Sequence, residues 1–181
     1  MRRKILAVLV LSGLLLVGCT TGNTGTPDGK GNDTDTRTEG KEIPKEYQPE
    51  EAVAAGHVVI VHGTMLSDPA ILAGFIEGTG KGEKKDLTVV QYTVEGDPIV
   101  TSVRYDGTVY RGVEDTTRDR FGPQEQRAFA FKYLKDFKDK ERRMVILVDD
   151  DTLTFEEDIR SLTSSQSDDW IPHHILSGYQ E

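Results

Sequence analysis

The sequence predicts an α+β domain, an antiparallel β-sheet packed with a few short helices. Residues 87–113 alternate apolar and polar side chains at period two and are rich in Val, Thr and Tyr, the pattern of half-buried strands. Turn residues at Gly96-Asp97-Pro98 and Asp106-Gly107 divide that stretch into a three-stranded meander. Short segments with helix start and stop residues lie on both sides of it.

Within the meander, Asp106-Gly107 suits a two-residue hairpin loop, because both residues tolerate positive φ. That loop pairs Tyr105 with Thr108, Val103 with Tyr110 and Val100 with Val113. A loop over 95–98 then sets Val94 opposite Ile99 and Tyr92 opposite Thr101. One face is expected to carry Val90, Tyr92, Val94, Ile99, Val103, Tyr105 and Tyr110.

At the start of the chain, Arg2, Arg3 and Lys4 precede a short apolar run over 5–17, which Leu16-Val17-Gly18-Cys19 closes. The run falls short of the roughly 20 apolar residues that span a bilayer and has the build of a secretory signal. Leu-Val-Gly-Cys resembles the lipobox of bacterial lipoproteins, which implies cleavage after Gly18 and a diacylglycerol on the Cys19 thiol. Residues 1–18 are thus expected to be a signal peptide, and Cys19 the lipid attachment site. The chain has no other cysteine, which excludes an intramolecular disulfide and a multi-cysteine metal site. Two acyl chains suffice for stable anchoring, so the expected location is the outer face of the cell membrane.

Loss of the three basic residues of the signal takes the formal charge from −9 to −12. Such a domain is repelled by phosphate backbones, so nucleic acid is not an expected partner. Residues 19–46 are dense in Gly, Thr, Asp and Asn and cannot bury a core; they read as a disordered tether. A flexible stretch of that length reaches about 28 Å on average. Asp33 and Asp35 lack the Gly and Glu of a calcium loop at the required offsets.

The folded domain, 47–181, opens with a short helix over 49–56, which has Pro and acids in its first turn. His57 to His62 is apolar on both faces, as a central strand is. Ser67 is placed to cap a helix entered at Asp68-Pro69 and ended by Gly78. The Gly-x-Gly-Lys at 78–81 follows a helix and lacks the spacer of a phosphate loop. Residues 123–137 fit a helix through Ala130, Leu134 and Phe137 and a strand through Phe129, Phe131 and Tyr133; periodicity leaves both open. Thr154 and Glu157 have the spacing of a capping box, predicting a helix over 155–163.

His57-Val58-Val59 with His62-Gly63, the block from Gln91 to Ile99, Tyr105-Asp106-Gly107 and the run from Thr117 to Gly122 together resemble the lipoprotein family catalogued as domain of unknown function 4362, over residues 50–122. The resemblance implies a Gram-positive, surface-anchored domain with no established activity and no assigned catalytic residue. It also implies a hairpin of 127–137 with 142–149.

No catalytic residue, metal ligand set or cofactor stands out. Three adjacent carboxylates, Asp149 to Asp151, point different ways on a loop, and His173 and His174 face opposite sides if they lie on a strand. The hairpin register brings the loop at Glu95 and Asp97 against the loop at Arg118 and Asp119, so that Arg118 reaches Asp97 or Glu95 as a structural pair or a binding rim. The reading that follows is a lipid-anchored extracytoplasmic surface protein, a non-enzymatic module for a protein, peptide or cell-wall ligand. The alternative is a small extracytoplasmic hydrolase that uses His62 and nearby acids, with or without a metal.

Overall fold

Pro at the first position and Glu51 reaching back to the Gln48 amide (3.1 Å) start a single helical turn and a half, α1 (Pro49–Ala54), in the computed structural model. The structure describes residues 43–166 and 170–180; the expected signal peptide, Cys19 and the tether as far as residue 42 lie outside them. After α1 comes β1 (Val58–Val61), whose Val58, Val59 and Ile60 are all buried. A two-residue turn at His62 (φ 49°) and Gly63 (φ 76°) folds β1 back into β2 (Thr64–Met65), with Val61 opposite Thr64. Positive φ at both turn residues is the primed geometry that matches strand twist.

Helix α2 (Pro69–Gly80) is capped by Asp68, whose carboxylate accepts the Ala70 amide at 2.9 Å. Ser67, expected as the cap, instead accepts the Val59 amide at 3.0 Å and ties the helix entry to β1. The helix runs past Gly78, and the left-handed residue that follows it is Gly82. The meander follows as β3 (Lys85–Tyr92), β4 (Pro98–Tyr105) and β5 (Tyr110–Asp115). Its existence matches expectation; its registers do not. Asp106 anchors a four-residue loop, since its carboxylate accepts Thr108 N (2.9 Å), Thr108 Oγ1 (2.7 Å) and Val109 N (3.0 Å). Tyr105 therefore pairs with Tyr110, two residues from the expected register. A shift of two leaves every side chain on its face.

The β3–β4 loop spans 93–97, closed by Thr93 and Asp97 through both main chain and the Thr93 hydroxyl, so Tyr92 pairs with Pro98 and Val90 with Val100. That three-residue shift reverses the facing. Val90, Tyr92 and Val100 pack with Tyr47 and Ala52 on one side of the sheet. Leu87, Val89, Val103 and Tyr110 pack with Leu72 and Phe75 of α2 on the other. Val94, expected in the core, sits in the turn and is 80% exposed.

The expected hairpin of 127–137 with 142–149 is half present. β7 (Tyr133–Asp139) pairs with β8 (Arg142–Val148), but residues before Lys132 form a separate strand, β6 (Gln126–Phe131), on β5. The chain closes with α3 (Phe155–Thr163), bounded by the expected Thr154–Glu157 capping box, and β9 (His173–Gln180). The sheet is mixed: β1 runs parallel to β3 across the α2 crossover, and β2 runs parallel to β9.

The strand order is β6-β5-β4-β3-β1-β2-β9-β8-β7. Its two outermost strands are joined by Lys132 alone, so the sheet must curl until its edges meet there. Phe129 of β6 stacking on His174 of β9, ring centres 4.0 Å apart, shows the same curl. Helix α2 fills the inner face, where Val145, Leu147, Leu176 and Tyr179 of the last strands join the core of the first. Helices α1 and α3 lie on the other face. In the strand ladder, β2 joins the five-stranded part to β9-β8-β7 by a single pair, Thr64 with Gln180, and the Gln180 amide donates to the Gly63 carbonyl at 2.8 Å.

Candidate functional site

The loop corner expected to hold a pair does hold one, with a different arginine. Asp97 is 6% exposed and accepts the Arg120 amide (3.0 Å) and Arg120 Nε (2.9 Å). Arg118 turns the other way: it binds Asp115 at 2.8 Å and the carbonyls of Ile43 and Pro44, each at 2.9 Å. The four-residue Asp106 loop slides the Asp115 loop two residues along, so that Arg120 stands where Arg118 was expected relative to Asp97, while Arg118 turns to Asp115 and the N-terminal carbonyls. Burial raises the Asp115 carboxyl, but hydrogen bonds from Thr117, Arg118 and Gln126 outweigh it and hold the group at about 2. Asp119 accepts the Phe121 and Gly122 amides, and Glu95 is exposed at the turn. Asp97, Asp115 and Asp119 are thus all occupied within the two loops, and Arg118 uses the corner to hold the carbonyls of Ile43 and Pro44.

A cleft of about 270 Å³ lies elsewhere, where β2 joins the two parts of the sheet. The His62-Gly63 turn forms one wall and the apolar side of α3, Phe155 and Ile159, another; Arg142 and Met144 of β8 with Gly178 and Gln180 of β9 line the floor. Sequence reasoning singled out His62 alone of these. The signals for the others were a strand-interior glycine at 178 and the i, i+4, i+7 stripe of Phe155, Ile159 and Leu162.

Of that stripe only Phe155 packs on the sheet, against Phe137 of β7 with ring centres 5.6 Å apart. Helix α3 seats Asp158 and Ser161, leaving Ile159 38% and Leu162 44% exposed. Asp158 is fully buried beside His173 (Oδ1 to Nδ1, 3.5 Å), and burial raises its carboxyl even against the nearby imidazole. Neither of its oxygens has a hydrogen-bond partner among the described residues. His174, on the opposite side of β9, is held by burial and by His173 at about 4.

His62 is exposed in its turn, Asp97 is closed off by Arg120, and Asp149 accepts the Lys132 amide at 3.2 Å. Asp149 also stands seven residues from Arg142, roughly 23 Å along an extended strand. These three groups share no cleft. Among the described residues, no group of three or more His, Cys, Asp or Glu side chains could hold a metal, and no helix is long and apolar enough to cross a membrane.

Fold and site together define a curled α+β domain with an amphipathic cleft at the β2 junction, and its closest acid–imidazole pair, Asp158 with His173, is buried under α3 and is not among the residues that line that cleft. Residues 56–144 match the model of the family described as domain of unknown function (DUF4362). No curated protein and no solved structure matches the chain.

Proposed function

We propose that this chain is a lipid-anchored protein on the outer face of the cell membrane, whose folded domain binds a ligand without transforming it. The anchor rests on the basic residues 2–4, the short apolar run and Leu16-Val17-Gly18-Cys19. The binding reading is favoured over hydrolysis by one observation: His62, Asp97 and Asp149 occupy separate environments, and the cleft at His62 is lined by apolar groups and guanidinium groups. A general base needs a partner within hydrogen-bond reach of the reacting group, and no carboxylate among the described residues lines that cleft. The ligand is a protein, peptide or cell-wall component, since an acidic surface disfavours nucleic acid.

Metabolic labelling with radioactive palmitate tests the anchor. The wild-type chain should take up label and sediment with membranes, and Cys19→Ala should take up no label and should accumulate as precursor. A Cys19→Ala protein that matures normally and stays with the membrane would overturn the proposal.

A further inference from the structure

Resting on that binding reading, we infer that the cleft at the β2 junction takes the C-terminal residue of a peptide, with an apolar side chain seated on α3 and a free carboxylate on Arg142. The charge is the first argument. In a chain of formal charge −9, the cleft's charged lining residues are two arginines, and residues 138–143 carry four basic and two acidic side chains. Arg143 is already held by Asp136, both contacts at 2.7 Å, and by the Tyr179 hydroxyl at 3.3 Å. Arg142 differs. Its side chain is 73% exposed, and its ion pair with Asp139 is long, at 3.7 Å, beyond hydrogen-bond reach. A planar guanidinium in that position suits a carboxylate.

The apolar part is the second argument. Arg142 and Met144 lie on the same face of β8, about 7 Å apart along the strand, opposite Gln180 and Gly178. Phe155 and Ile159 overhang that floor. The head-group site and the apolar site are therefore neighbours, as are the carboxylate and side chain of a terminal residue. A cleft of about 270 Å³ sits at the low end for small-molecule sites, which fits one bulky residue and not a long acyl chain. Gly178 supplies the room: a Cβ built there meets nothing within 4 Å, and its φ is not in the left-handed range. A strand-interior glycine leaves room for a ligand or another backbone to come close.

The test uses the full chain in phosphatidylcholine nanodiscs, titrated calorimetrically with acetyl-alanyl-leucine and with its C-terminal amide. The acid should bind saturably, and the amide at least about tenfold more weakly, as expected for loss of a charge-assisted hydrogen bond. Arg142→Gln should weaken the acid about tenfold and leave the amide unchanged. Gly178→Leu fills the cleft without straining the backbone and should abolish binding of both, with its thermal midpoint confirming the fold. Equal binding of acid and amide, or undiminished binding by Gly178→Leu, overturns the inference, as does no binding by the wild-type chain. Mass spectrometry of the recovered peptide separates the two layers. Acid-selective binding with the peptide returned cleaved would keep the ligand class and sink the non-enzymatic reading.

Discussion

The two parts of the sheet treat polar groups in opposite ways. In β6-β5-β4-β3-β1, the buried Asp97 accepts main-chain and guanidinium hydrogens, Ser67 accepts the Val59 amide, and Tyr92 donates to the Tyr47 carbonyl at 2.9 Å. In β9-β8-β7 with α3, both oxygens of Asp158, His174 Nε2 and Ser177 Oγ are buried without hydrogen-bond partners; no other described residue has such an atom. Exposed apolar side chains occur in both parts, Val94 and Phe121 in the first and Ile159, Leu162, Trp170 and Ile175 in the second. Unpaired buried polar groups and exposed apolar ones both cost stability. Among the described residues, the buried polar atoms without hydrogen bonds are thus confined to the second part, which also supplies most of the cleft's lining.

The inner core spans both parts, so the strongest test asks whether they unfold as one. Leu147→Ala removes a fully buried side chain of that core and should cost about 2–5 kcal/mol. Denaturation followed separately by β3 amide exchange and by far-ultraviolet dichroism should shift together. A β3 that keeps its protection would mean that the parts are independent.

His174 sets the acid response of the second part. Its folded value of about 4 lies below the unfolded 6.5, so the unfolded chain binds the proton first as pH falls. Stability is therefore lost between pH 6.5 and 4, by up to about 3 kcal/mol. His174→Phe keeps the ring on Phe129 and removes the titration, and its stability should be flatter than wild type across that window. Parallel profiles for the two proteins would assign the acid loss to other groups.

Next in size, Gly107→Val in the first part should cost about 1–3 kcal/mol, since Gly107 has φ +102° and a β-branched residue resists positive φ. A chemical denaturation midpoint equal to wild type would contradict that.

The smallest effects carry the comparison most directly, because one substitution should have opposite signs in the two parts. Asp97→Ala loses satisfied hydrogen bonds and should destabilise by about 1–2 kcal/mol. Asp158→Ala removes a carboxylate with no hydrogen-bond partner among the described residues and should be neutral or stabilising by up to about 1 kcal/mol. A loss above that size for Asp158→Ala, read from urea midpoints, would show that its contact with His173 is a strong pair.

Local chemistry alone determined the strands of the meander, the central placement of β1 and the caps of α1 and α3, because period, Pro, Asp and Thr–Glu spacing act within a few residues. It also placed the expected lipid site at Cys19. The registers were not legible, since they depend on whether Asp106 and Thr93 close their loops through side chains, a choice between turns of similar local energy. The splitting of 126–139 between two sheet edges was not legible either. Its helix and strand periodicities overlap, and only the curl that buries Phe129 against His174 decides between them. The cleft belongs wholly to the tertiary structure. Arg142, Phe155, Gly178 and His62 span more than a hundred residues of chain, and they meet because a two-residue strand joins the parts of the sheet at one end.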